Sequence, residues 1–161
     1  MRIFVCLVMI TLLGACGSQE SQKSLLDGLV DLNLLEYGLP IVIKAPEGAA
    51  VDKSSIGFFD DVTVKSGDYN LQILVSDAAS LNLQKLVEEE KATVRNEAYF
   101  SSFIEESPKG FIYETKIDSL SSYDFRYLHI QADRVYKFQA GLLGNYSQLD
   151  IERLVSAVAQ D

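Results

Sequence analysis

Ser66-Gly67-Asp68-Tyr69-Asn70-Leu71-Gln72-Ile73-Leu74-Val75 is the stretch whose pattern sets the fold class. Ser66-Gly67 supplies a tight turn, and beyond it Tyr69, Leu71, Ile73 and Val75 alternate with Asp68, Asn70 and Gln72. Successive side chains of a strand point to opposite faces, so this period of two predicts a strand with one buried face and one wet face. Its neighbours carry related signals. Residues 58–65 have strand character, with Phe58, Val62 and Val64 on one parity, and residues 41–44 form a strand closed by the turn signal Pro46-Glu47-Gly48. Residues 25–40 are rich in leucine but interrupted by Gly28, Gly38 and Pro40, which predicts a short helical turn or a packed extended arm.

Downstream the period changes. Ser80 is placed to cap a helix running to about Glu97, with Leu83, Leu86, Val87, Val94 and Ala98 on one stripe and Glu88-Glu89-Glu90 largely beside it. Four further strands are expected at 99–104, 111–116, 123–132 and 135–142, with tight turns at Pro108-Lys109-Gly110 and Asp133-Arg134. In the third of these, Tyr123, Phe125, Tyr127 and His129 share one parity, while Leu128 and Ile130 have the other. Such a strand is covered on both faces or bulged near its middle. Ser147-x-x-Asp150 is a capping-box variant that opens a final helix with Ile151, Leu154, Val155 and Val158 on its inner face. Strands, helix, strands, helix make an α+β domain with a mainly antiparallel sheet over residues 25–161. The early strand ending in Pro46-x-Gly48, the element order over about 40–160, and the closing run from Val135-Tyr136-Lys137-Phe138 through Tyr146 to Val158 resemble the PsbP-type α/β sandwich. Ala49 stands where that family often has an aromatic residue after the turn. The resemblance implies a binding or assembly accessory protein and assigns no individual functional residue.

The N-terminus places the chain. Arg2 is the one charge of residues 1–15, and the apolar run that follows is shorter than the roughly 20 residues a helix needs to cross about 30 Å of hydrocarbon. A positive start, a short apolar middle and small residues before polar sequence read as a secretory signal peptide. Leu13-Gly14-Ala15-Cys16 resembles the lipobox of bacterial lipoproteins, and the chain resembles the small lipoproteins of Bacteroidetes-type bacteria. That likeness implies cleavage before Cys16, diacylglycerol on its sulfur, a further acyl chain such as palmitate on its amine, and a lipid anchor in the cell envelope. Gly17 rather than Asp after the cysteine implies the outer membrane. Residues 16–24 then form the lipidated cysteine and a polar, flexible tether.

Composition narrows the chemistry. The two cysteines are Cys6, within the signal, and Cys16, taken by lipid, so no disulfide is expected. The net charge of −9, with no basic patch, makes nucleic acid a poor partner. His129 is the only histidine, and a zinc site would need at least two carboxylates to complete it, so a structural or surface role is expected. Asp60-Asp61 and Glu105-Glu106 lie at strand ends or turns, lack the spacing of a calcium loop, and as adjacent strand residues would diverge to opposite faces, so solvated turns are expected. The aromatics of 123–127 and 136–138 are expected to fill a core rather than form a stacking surface. No catalytic, cofactor-binding or metal-binding residue is assigned, and no pair of ionisable groups is expected to meet within hydrogen-bond reach inside a deep cleft. The expected function is binding or assembly at the envelope, through the membrane on one side and an envelope protein on the other. The alternatives are a small-ligand carrier with an apolar cleft between sheet and helix, and a carboxylate- and tyrosine-based envelope enzyme.

Overall fold

A computed structural model describes residues 24–57, 59–142 and 144–159. The signal peptide, the lipobox with Cys16, the tether up to residue 23 and the parity of Phe58 lie outside the described residues.

The domain is α+β, with a two-stranded ribbon, a seven-stranded antiparallel sheet and two helices. The ribbon pairs β1 (Leu29–Asn33) with β2 (Val42–Pro46) around a single 3₁₀ turn, Leu35–Tyr37. The large sheet is two meanders. The first is β3 (Ala50–Ile56), β4 (Phe59–Ser66) and β5 (Tyr69–Asp77). The second is β6 (Phe100–Ser107), β7 (Gly110–Ile117), β8 (Leu120–Gln131) and β9 (Arg134–Ala140). Helix α1 (Leu83–Arg95) joins the meanders and α2 (Gln148–Val158) follows them. They meet along β5 and β9, giving the order β3-β4-β5-β9-β8-β7-β6.

Register carries the period of the opening stretch across the sheet. Leu71, Ile73 and Val75 lie opposite Ala140, Phe138 and Tyr136, and Tyr127 lies opposite Phe138. This face packs against the ribbon and α2 in one cluster that includes Ile41, Ile43, Ile151, Leu154 and Val158. On the opposite face, Phe111, Tyr113, Leu128 and Val135 pack against Val87 and Val94 of α1. Strand β8 is therefore covered on both sides, with Phe125 and Tyr127 under α2 and Leu128 under α1. The aromatics Phe125, Tyr127, Tyr136 and Phe138 are core. At the edge of this layer, Gly110 carries no side chain because a Cβ would run into the backbone of Arg126 and Tyr127.

Several expectations need correction. The packed extended arm expected within 25–40 is present as β1, paired with β2, but β3 has no counterpart in the sequence reading. Helix α1 begins at Asn82, whose Oδ1 accepts from Lys85 N, while Ser80 Oγ instead accepts from Asn82 N. The helix stops at Arg95, which leaves Ala98 exposed and outside it. The wet face expected for β5 is half-covered, since Gln72 is buried and Leu74 partly so. By contrast α2 opens with the Ser147–Asp150 capping box and buries Ile151, Leu154 and Val158, with Val155 partly covered.

Candidate functional site

A helix advances 3.6 residues per turn, so Leu83, Val87, Glu90, Lys91 and Val94 of α1 all lie toward the sheet. Two of these are charged. Lys91, 8% exposed, reaches Glu88 at 2.8 Å and Glu106 of β6 at 2.6 Å. The hydrogen bond to Glu106, then that to Glu88, raises its pKa and holds the ammonium charged. Glu90 turns inward, to Lys137 of β9 at 3.0 Å and to Arg126 of β8 at 3.8 Å.

Arg126 is the centre of this network. Its Nη1 donates to Asp124 at 2.7 Å, Glu97 lies 3.6 Å from Nη2, and the guanidinium sits 5.2 Å from the centre of the Tyr113 ring. Burial is the largest single influence on Arg126 and works against its charge, but the attraction and hydrogen bond of Asp124, with Tyr113 and Glu97 adding to them, together outweigh it and raise its pKa. Tyr113 O–H donates to the same carboxylate at 2.9 Å, and burial, then the charge on Asp124, pushes this phenol far above its ordinary range. The other Asp124 oxygen accepts the N–H groups of Phe125 and Ala140. A polar row continues along this face: Gln139 Nε2 donates to Gln72 Oε1, and Gln72 Nε2 donates to Asp61 Oδ2, each at 2.8 Å.

Beside the network, α1 and the sheet enclose an open groove of about 300 Å³. Leu74, Leu128 and Val135 form its floor, Leu86, Glu89 and Glu90 its helical wall, and Phe59 of β4 its opposite wall. This is the small end of the ~300–1,000 Å³ range of ligand sites, and an apolar floor is typical of them. A second cleft, of about 220 Å³, opens on the other face between β2, β8 and the end of α2.

His129 lines that second cleft with Ile41, Tyr127, Phe138 and Val158, its ring 6.1 Å from Tyr136. The two acidic doublets lie within β4 and β6 rather than in solvated turns, and each is split between the two faces, as strand geometry demands. Asp60 accepts from Ser55 Oγ at 2.6 Å and pairs with Arg134 at 3.2 Å and Lys53 at 3.4 Å, while Asp61 joins the glutamine row across the sheet. The Ser55 hydrogen bond, with Arg134 and Lys53 adding to it, holds the Asp60 carboxyl below its ordinary pKa. Glu106 is tied to Lys91, and Glu105 lines a small crevice with Ile112 and Val155. Among the described residues, no group of three or more His, Cys, Asp or Glu gathers to hold a metal ion. Among them, too, no helix is long and apolar enough to cross a membrane.

Glu90 and Lys137 meet within hydrogen-bond reach on the wall of the open groove, a pairing that no sequence expectation placed. Sequence reasoning placed the glutamate run beside the apolar stripe and passed over Arg126 and Lys137. A signal was present, however. Arg126 shares the parity of Leu128 in a strand apolar on both faces, and a charge in such a place must be paired. The chain matches no protein-family model, and a search of curated proteins finds none similar to it.

Proposed function

We propose that the chain is a lipid-anchored protein of the bacterial cell envelope, held at the outer membrane through acyl chains on Cys16, and that it works by binding rather than by catalysis. The anchor rests on Leu13-Gly14-Ala15-Cys16 at the end of a short apolar run. Two or three acyl chains hold a protein at a bilayer where one binds only reversibly. Binding rests on one structural observation, the groove between α1 and the sheet, with an apolar floor open to solvent. Some of the ionisable groups in and beside it are engaged with one another: Glu90 with Lys137, and Asp124 with Arg126 and Tyr113. Groups held in this way brace α1 against β8 and β9 and so keep the groove in shape.

Of the two modes of binding, the groove favours a small-ligand carrier over an assembly factor acting only through protein contacts. The fold is read here as a PsbP-type sandwich, supported by the order of elements and by a sheet covered on both faces, and that likeness also implies a binding role. Photocrosslinking in the intact envelope, with the reactive group at position 59, tests the choice. Capture of a small molecule at the groove is expected. Crosslinks to protein alone would shift the reading to assembly.

A further inference from the structure

The groove beside α1 selects by charge. Three acidic residues line it, Asp77, Glu89 and Glu90, against one basic residue among the described residues, Lys137. That base is already neutralised by Glu90 at 3.0 Å. Arg134, opposite Asp77 in register, gives its guanidinium to Asp60 instead. Glu89 is 3.7 Å from Lys85, but both side chains are more than half exposed, and water weakens such a pair. The rim therefore keeps a negative balance at Asp77 and Glu89. Above it stands Phe59, a large aromatic side chain left 40% exposed on the groove wall.

An open aromatic face next to carboxylates attracts an organic cation, and the apolar floor favours hydrocarbon. We propose that this groove binds a small amphiphile with an apolar body and an ammonium head. The body lies over Leu74, Leu128 and Val135, and the head sits between Phe59, Asp77 and Glu89. This inference rests on the binding reading above and names the ligand class of that site. Anionic amphiphiles, fatty acids included, are disfavoured by the same carboxylates.

Three soluble probes of similar size separate the outcomes: benzyltrimethylammonium, neutral benzyl methyl sulfone and anionic benzylsulfonate. The full chain is held in zwitterionic nanodiscs, and the methyl resonances of Leu74, Leu128 and Val135 report occupancy of the groove. The cation is expected to bind about tenfold more tightly than the neutral probe and to weaken with added salt, and the anion should leave these methyls unmoved. Phe59→Leu should weaken the cation about fivefold, and Asp77→Asn with Glu89→Gln should erase its advantage over the neutral probe. All three positions are exposed, and unchanged melting of the variants verifies that the fold is intact. Equal binding of cation and neutral probe would overturn the charge assignment while leaving the groove a binding site. Undiminished cation binding by the variants would overturn the placement of the head. Failure of every probe to move the methyls would overturn both this inference and the small-ligand reading beneath it.

Discussion

Replacing Arg126 with alanine removes a side chain that touches Asp124, Glu90 and Glu97 at once. Arg126 is 9% exposed, and breaking a buried ion pair by deleting one partner costs about 3–5 kcal/mol, because the other charge is left uncompensated. Two features of the site place this variant at the bottom of that range. Asp124 keeps three donors, the Tyr113 hydroxyl and the N–H groups of Phe125 and Ala140, and its side chain is 26% exposed. Glu90 retains Lys137. The expected loss is thus about 3 kcal/mol, read from urea unfolding followed by far-ultraviolet circular dichroism at constant m-value. Arg126→Met keeps most of the stem that packs over Tyr113 and so separates packing from charge. Combining it with Asp124→Asn removes both charges of the closest pair, while Oδ1 can still accept the two backbone N–H groups. The double variant should then be at least about 1 kcal/mol more stable than the sum of the single losses implies. Strict additivity, or a loss below about 1 kcal/mol in Arg126→Ala, would refute the view that this network braces α1.

Further outcomes follow from single contacts. Leu154, 3% exposed on the inner face of α2, should cost about 2–5 kcal/mol on Leu154→Ala in the same unfolding assay. Gly110→Ala should cost about 1–3 kcal/mol, because the new Cβ meets the backbone of Arg126 and Tyr127 rather than a yielding side chain. Lys91→Met should cost under about 1 kcal/mol, since Glu88 and Glu106 both face water and are hydrated once released. The depressed pKa of Asp60 stabilises the fold fully above the ordinary carboxylate range, and that contribution is lost as pH falls through its folded value. Asp60→Asn should therefore flatten the acid limb of a melting-temperature profile below about pH 4, with little change in its shape near neutrality. Cys16→Ser should lose its acyl chains and leave the detergent phase in a partitioning assay; normal retention there would refute the lipobox reading.

How much of this fold can be read from the chain depends on whether an element shows a period of its own. Strand β5 does, through Leu71, Ile73 and Val75, and so does α2, whose Ser147–Asp150 box marks the first turn. The double coverage of β8 could be read because both its parities are apolar. Strand β3 could not, because Ala50-Val51-Asp52-Lys53-Ser54-Ser55-Ile56 forms an edge held by its ladder to β4. Polar side chains on such an edge also protect it from pairing with other chains, and they erase the apolar signal of a strand. Strand β1 has only five residues, too few for alternation to stand out from the leucines around it. The groove was hidden for a different reason. Its walls come from α1, β4, β5, β8 and β9, and no local pattern records that β5 and β9 lie side by side.

The run Glu88-Glu89-Glu90 shows why composition says so little about this site. The three residues are chemically the same and adjacent, yet a helix turns about 100° at each step, so they cannot share surroundings. Glu88 closes on Lys91, Glu89 stays in water near Lys85, and Glu90 enters the layer beneath the helix. Only the third must lose most of its hydration, and it can do so because Lys137 and Arg126 already stand on the sheet below. Those two bases in turn occupy the face of β9 and β8 that looks toward α1, where Leu128 and Val135 provide the apolar surroundings. Charge on the helix and charge on the sheet are each unfavourable there alone and favourable together. The pairing therefore sets where α1 rests on the sheet. By using up Lys137, it also leaves the carboxylates at the groove's rim as the charge a ligand would meet.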